Sequence, residues 1–365
     1  MDERREEVAT KLALLRNRLG SSGAVRLRGL DWFSWATAGA SNALLLAQET
    51  GVAEVLVTPS EAWILTDEIE AQRLREEELP DNFQLFQGRW AAPEEREEFV
   101  RDTIGGCQVW SDRPNSEEKP LFADLLQYKR ILTPSEVTRY RRVGQLAAEA
   151  MTEVLGAAQP GWTELELAGA GAQALMRRGL DPASIMAAGS ERLARYRHPK
   201  PTTATLKMGA MLGFCARGFG LYANLTRFVS FGPLDEDTRR RHNQVCEIEA
   251  EALQCCIPGT RLDQIYAVLQ DAYQRRGFGE AITQHHQGGL TGYLAREIVA
   301  TPLTGHILNK CEAVAWNPSL PGGAKIEDTF LIKGNGGPNL ENLTLSSDWP
   351  SQEIGGLHRP LVWER

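Results

Sequence analysis

No CxxC pair and no zinc-finger spacing occurs among the six cysteines, Cys107, Cys215, Cys246, Cys255, Cys256 and Cys311. That excludes a structural zinc module and offers no disulfide framework, so reduced, mostly buried thiols are expected. Long apolar runs are missing too. The opening Met1-Asp2-Glu3-Arg4-Arg5-Glu6-Glu7 mixes both signs of charge and leads into no continuous hydrophobic stretch. Neither a secretory leader nor a membrane-spanning helix is expected, which points to a cytoplasmic protein with no membrane partner. Positive charge is scarce as well: 40 Lys and Arg stand against 48 Asp and Glu, a net charge of −8. Phosphate backbones need a concentrated positive face, so nucleic acid is not an expected partner. The run Arg239-Arg240-Arg241 reads as the solvated face of a helix.

What remains is an ordinary globular composition, 42% hydrophobic and 24% charged over 365 residues, long enough for two domains. Residues 55–66 read as strand, proline-containing turn and strand, residues 68–78 as a helix, and Gln108-Val109-Trp110 as a further strand. The polar stretch 112–119 reads as a surface connection between the two domains. Thr133, Pro134 and Glu136 then have the spacing of a helix cap, in which the hydroxyl and the carboxylate each satisfy an orphan backbone N–H. Apolar residues at Val143, Leu146, Ala147, Met151, Val154 and Leu155 continue that helix to about Ala158.

The second part of the chain repeats itself. Pro160-Gly161 leads a helix ending Arg177-Arg178-Gly179, and 98 residues further on Pro258-Gly259 leads one ending Arg275-Arg276-Gly277. A glycine closing each helix, where a left-handed residue is needed, gives both copies a mechanical reason. Strand-like segments follow in each copy, at 206–214 with 220–229 and at 313–317 with 326–333. Two such halves can join their strands into one sheet with helices on its outer side, leaving the other side for a ligand.

These segments carry Pro160-Gly161-Trp162-Thr163-Glu164, Tyr222-Ala223-Asn224-Leu225-Thr226-Arg227, His285-His286-Gln287-Gly288-Gly289 and Ile326-Glu327-Asp328-Thr329. In order and spacing they resemble the signatures of the pita-bread metallopeptidases, the family of aminopeptidase P, Xaa-Pro dipeptidase (prolidase) and creatinase. The resemblance implies an α/β (α+β) protein: a creatinase-like amino-terminal α/β domain over residues 1–130 and a pita-bread domain over 131–365 with a pseudo-twofold internal repeat. It also implies a homodimer.

Members of that family hold two divalent ions with two aspartates, a histidine and two glutamates, because paired cations need several carboxylates to bridge and neutralise them. Matched position by position, the aspartates fall on Gly213 and Asn224, the glutamates on Asn317 and Glu327, and the histidine on His285 or His286. Three of four carboxylates are absent, so no metal cofactor is expected. A substrate-binding histidine of the family is similar to His198, while Gly292 or Tyr293 stands where a second one would be. The expected catalytic set is His198, His285, His286 and Glu327, with Tyr222, Tyr293, Asn224, Asn317, Gly213, Cys215 and Arg296 around the substrate. Arg296-Glu297 resembles a dipeptide at the same offset in creatinase. Three functions follow: a metal-free hydrolase of a C–N bond in a small polar substrate, a silent protein that binds a small molecule or short peptide in its cleft, or a metal-dependent Xaa-Pro peptidase with other ligands.

Overall fold

The computed structural model describes residues 3–20, 23–334 and 340–365, so Met1 and Asp2 of the charged opening lie outside it. The chain forms two compact units, Met1–Glu136 and Val137–Arg365. The first contains a six-stranded sheet in the order Gln84–Gly88, Ala62–Asp67, Thr50–Val57, Ala24–Gly29, Val109–Ser111 and Lys119–Pro120. The expected strand–turn–strand is an antiparallel pair, with Val55 opposite Ile64. The helix expected over 68–78 begins only at Ala71 and widens into a π-type turn over Leu74–Glu78. The polar stretch 112–119 is not the connection between domains: it stays inside this unit, because its end pairs as the edge strand Lys119–Pro120. The cap at Thr133 forms as read: its N–H donates to Glu136 Oε2 at 2.7 Å and its hydroxyl accepts from the Glu136 N–H at 3.2 Å.

In the second unit, helices α1 (Pro134–Ala157) and α2 (Glu164–Met176) precede strands β1 (Asp181–Gly189), β2 (Gly209–Gly218) and β3 (Leu221–Ser230). Helices α3 (Glu236–Gln254) and α4 (Leu262–Arg275) then precede β4 (Gly288–Thr291), β5 (Ala313–Trp316) and β6 (Asp328–Ile332). The repeat read from the sequence is repeated in the contacts. Arg178 pairs with Glu153 at 2.8 Å, and its counterpart Arg276 pairs with Glu251, the counterpart of Glu153, at 2.9 Å. Arg178 Nη1 donates to the Ala174 carbonyl at 3.0 Å, and Arg276 Nη1 to that of Ala272 at 3.1 Å. Gly179 and Gly277 close their helices with φ of 70° and 78°, the left-handed geometry that favours glycine.

Each half has its own apolar core, one built on Val143, Leu155, Leu212, Phe214 and Leu225, the other on Val245, Leu269, Val314, Trp316 and Ile326. Strand alternation decides the rest. With Leu212, Phe214 and Ala216 turned to the helices, Gly213 and Cys215 face the opposite side. Ala223 and Leu225 do the same for Asn224 and Thr226, and Val314 and Trp316 for Asn317. Ile326 likewise leaves Lys325 and Glu327 on the helix-free face. The halves join where Thr226 N–H donates to the Glu327 carbonyl at 3.0 Å, the bridge between β3 and the start of β6.

Among the described residues, no helix is long and apolar enough to cross a membrane. A lone histidine of the scaffold, His242 on α3, is buried and donates Nε2–H to the Pro360 carbonyl at 2.9 Å. Burial, helped by the charges of Arg227 and Arg359, pushes it down to about 4. The unfolded chain therefore takes up this proton first, and the stability His242 supplies, complete above its ordinary value near 6.5, falls as pH drops toward 4. Urea unfolding of His242→Gln and of the unaltered chain at about pH 7 and about pH 5 should show the unaltered chain losing about 2 kcal/mol more over that interval. Parallel losses in both would mean the ring titrates freely.

Candidate functional site

The helix-free face carries a cavity of about 430 Å³ lined by His198, Cys215, His286, Arg296, Asn317 and Glu327, with Ser184, Ile185, Met186, Pro199, Lys200 and Ala295 completing its wall. His198 is set by its neighbour. Arg197 donates to the Leu320 carbonyl at 2.5 Å and to Gln284 Oε1 at 2.7 Å, tying the first-half loop to the segment that enters the histidine pair. On the other side, Gln287 holds that segment by donating to the carbonyls of Ile282 at 3.1 Å and His285 at 2.6 Å while accepting from the Tyr273 hydroxyl at 2.9 Å. Gly288 and Gly289 then follow with φ of 106° and 146°, where a Cβ would lie 2.1 Å from the carbonyl oxygens of Ala315 and Ile298 respectively. Only glycine lets this strand pass so close to both neighbours.

The three imidazoles meet at one end of the cavity. His285 Nε2 and His198 Nε2 are 2.6 Å apart, and the rings of His285 and His286 stack with centroids 4.6 Å apart. Their tautomers follow from the partners. His285 Nδ1 contacts the His286 carbonyl, which can only accept, so Nδ1 carries the proton and Nε2 the lone pair. His198 Nε2 must then donate, which leaves a lone pair on His198 Nδ1. Burial lowers all three: His198 lies below its ordinary range, His286 falls to about 4 with Arg296 contributing, and His285 falls furthest because Lys325 and the other two rings add to its burial. At neutral pH all three are uncharged bases.

Glu327 faces them from β6's approach. Its Oε1 accepts from Arg296 Nη2, and its Oε2 accepts from the Thr226 hydroxyl at 3.3 Å. Arg296, whose dipeptide offered only a slender signal, thus holds the remaining carboxylate. Cys215 lines the cavity, but burial and the Glu327 charge push its thiol up to about 11, which leaves little thiolate for nucleophilic attack. Asn224 is fully buried and donates Nδ2–H to the Thr291 hydroxyl at 3.0 Å. Gly213, Asn224, Tyr222 and Tyr293 do not line the cavity. The Tyr222 carbonyl accepts from Tyr140 at 2.6 Å, and Tyr293 is buried.

Lys325 was not singled out from the sequence. It lies on the same side of its strand as Glu327, is 3% exposed, and its Nζ has no hydrogen-bond partner among the described residues. Burial, with Arg296 and Arg197 adding, lowers its proton affinity. The alternation Lys325-Ile326-Glu327 was the available signal.

Of the four positions matched to the family's acids, Gly213, Asn224, Asn317 and Glu327, one carries a carboxylate. Asn224 Oδ1 and Asn317 Oδ1 are buried oxygens without hydrogen-bond partners among the described residues, at two of those positions, yet they are neutral. The single carboxylate is engaged by Arg296, and Lys325 adds a second cation beneath the same site. Two dications there would have one negative charge to balance them. By contrast, the ring nitrogens of His198, His285 and His286, all within 4.8 Å of one another, could hold one ion.

The profile of metallopeptidase family M24 matches residues 138–334. The chain belongs to that family. An uncharacterized peptidase of Staphylococcus aureus (strain USA300) is 23% identical over 223 residues, 58% of this chain and 62% of the relative's length. The chain thus spans somewhat under two thirds of the length of such curated relatives. The X-Pro aminopeptidase from Thermotoga maritima MSB8 has the same fold, with a TM-score of 0.76 at 17% identity over 98% of this chain and 99% of that one. The Xaa-Pro dipeptidase from Bacillus anthracis gives 0.74 at 18% over 96% and 99%. The N-terminal domain of FACT complex subunit SPT16 from Cicer arietinum shares it too, at 0.67 and 11% over 94% and 95%. This M24 chain therefore has the pita-bread fold expected from its motifs.

Proposed function

We propose that this M24 protein hydrolyses a C–N bond in a small polar substrate without the family's two-metal centre, using His198 as the base. The observation that carries the reading is the His198–His285 contact at 2.6 Å on the cavity that also holds the Arg296–Glu327 pair. A water in the cavity gives its proton to His198 Nδ1 as its oxygen bonds to the electrophilic carbon. The resulting imidazolium shares its Nε2 proton with His285 Nε2, which steadies the charge. His198 Nδ1 then returns the proton to the leaving nitrogen as the C–N bond breaks, so the side chain ends as it began. Arg296 and Glu327 offer one cation and one anion for the polar ends of the substrate, and about 430 Å³ suits a molecule of amino-acid to dipeptide size.

The test is turnover by chelator-treated protein against small amides, ureido and amidino acids and an Xaa-Pro dipeptide, read as amine or ammonia released. His198→Ala and Glu327→Gln should each lower kcat/KM by about 100-fold or more while leaving the melting temperature nearly unchanged. Activity that appears only after a divalent metal is restored would overturn the reading.

A second reading is a silent binding protein. The Arg296–Glu327 pair and the burial of His285 support it, since both withdraw groups from a substrate. The chickpea SPT16 domain is described as part of a complex subunit rather than as a peptidase, which gives that reading a precedent on this fold. Saturable binding from the same panel with no turnover would favour it. We also expect a homodimer, which light scattering of the full chain checks.

A further inference from the structure

We infer that His198, His285 and His286 form a binding site for one divalent d-block ion, zinc, cobalt, nickel or copper, and that filling it turns the site off. The inference rests on the acid–base reading only for its second half; the binding half stands on geometry. Three imidazoles are a sufficient ligand set for such an ion, with an open fourth position for water. Nitrogens at about 2.0–2.1 Å from a tetrahedral ion lie roughly 3.3 Å from one another. The 2.6 Å separation of His198 and His285 must open slightly, and the widest separation, within 4.8 Å, must close. His198 and His286 are only partly buried and can make that adjustment, while buried His285 stays in place.

His285 is already prepared as a ligand. Its Nδ1 contact with the His286 carbonyl is the outer bond that fixes tautomer and ring direction in metal-binding histidines, so the Nε2 lone pair that now accepts from His198 is the one an ion would take. His198 needs only to move its proton from Nε2 to Nδ1. The cavity gives the ion a route, since His198 and His286 both line it.

Selectivity follows from what surrounds the rings. Magnesium and calcium require oxygen ligands, and the one carboxylate in reach is held by Arg296. Imidazole-only sites instead favour the later d-block ions in the order of their ordinary affinities. Lys325 and Arg296 add positive charge nearby, so the affinity should be weaker than in sites with a carboxylate, in the micromolar range. Once bound, the ion takes the Nε2 lone pair of His285 and replaces the His198–His285 hydrogen bond, removing the partner that steadies His198 as a base.

The experiment uses the full chain after chelator treatment, titrated with zinc by calorimetry and with cobalt followed by its visible absorption. One ion per chain, an intense tetrahedral cobalt spectrum and no uptake of magnesium or calcium are expected. His198→Ala and His286→Ala should each weaken zinc at least tenfold, and the surface variant His358→Ala should leave it unchanged. Melting temperatures measured without metal show whether each variant is folded. Absence of saturable uptake, or uptake that survives His198→Ala/His286→Ala, would overturn the site. Zinc that binds and inhibits supports both halves. Binding that is instead required for turnover would overturn the switching-off and, separately, the metal-free reaction proposed above, whereas metal-free turnover with no zinc uptake would leave that reaction standing and remove this site alone.

Discussion

Replacing Arg359 with alanine should cost about 3–5 kcal/mol of stability and leave little folded protein at physiological temperature. Arg359 is fully buried between two acids, contacting Glu249 and lying 2.9 Å from Asp328 Oδ2. Asp328 is shared: Arg227 donates to its Oδ1 at 2.6 Å, and Thr344 donates to the same oxygen at 2.7 Å. Burial opposes the charge of Asp328, but the two arginines hold it below the ordinary carboxylate range. Taking Arg359 away would leave Asp328 Oδ2 without its ion-pair partner in the core, with Arg227 alone to balance the charge, directly beside Glu327 in the chain. Glu249 is different. Burial outweighs Arg359 and pushes it up to about 8, so near neutral pH the folded protein carries it mostly as the neutral acid. Glu249→Gln should therefore change stability by no more than about 1 kcal/mol. On the surface, Arg141 and Glu341 pair at 2.7 Å, and Arg141→Ala should cost no more than about 1 kcal/mol. Urea titrations of the three variants test the ranking; equal effects would mean the buried network is not what holds this face together.

The architecture was legible because its signals were local or periodic. The Thr133 cap, the paired Pro-Gly entries and the Gly179 and Gly277 exits can each be read within one turn of helix, and the 98-residue displacement reappears in the ion pairs of Glu153 and Glu251. Strand β1 was missed for the opposite reason. It starts Asp181-Pro182 and ends Ala187-Ala188-Gly189, so nothing in its own sequence alternates. It is a strand because it pairs with β2 from Asp181–Arg217 to Gly189–Ala210.

The site divides the same way. The motifs placed His198, His286, Arg296 and Glu327 on one list, and the fold gathers these four around one cavity. The choice between His285 and His286 could not be made from adjacent letters; the structure gives the first to the ring-to-ring contact and the second to the cavity wall. Lys325 escaped notice because a lysine beside Ile-Glu-Asp-Thr looks solvated, and only the packing of both halves buries it. Asn224 looked like a pocket residue by its motif, yet its amide is spent on Thr291.

Restoring the family's acids should convert this protein into one whose stability depends on metal. The variant would combine Gly213→Asp, Asn224→Asp and Asn317→Glu with Arg296→Leu, the last because Arg296 otherwise holds Glu327. Space permits it: a Cβ at Gly213 meets the Thr226 hydroxyl at 3.2 Å and the Met186 methyl at 3.4 Å, both ends of side chains that can give a little. At Asn224 the change to aspartate keeps the side chain's shape, and the amide oxygens of Asn224 and Asn317 have no hydrogen-bond partner among the described residues that the new acids would displace. Without metal, four neighbouring buried acids repel and lack partners, so the variant should lose several kcal/mol relative to the unaltered chain. With manganese or cobalt at about 100 times the dissociation constant, each bound ion should return about 2.7 kcal/mol. Metal analysis should then find two ions per chain, against no pair of tight sites in the unaltered protein. The variant that keeps Arg296 should fall between them, because Glu327 must choose between a guanidinium and a metal. If the four-fold variant binds no better than the unaltered chain, the matched positions are not the lost ligands; if the unaltered chain itself takes up two ions tightly, the acids were never needed and the neutral site has been misread.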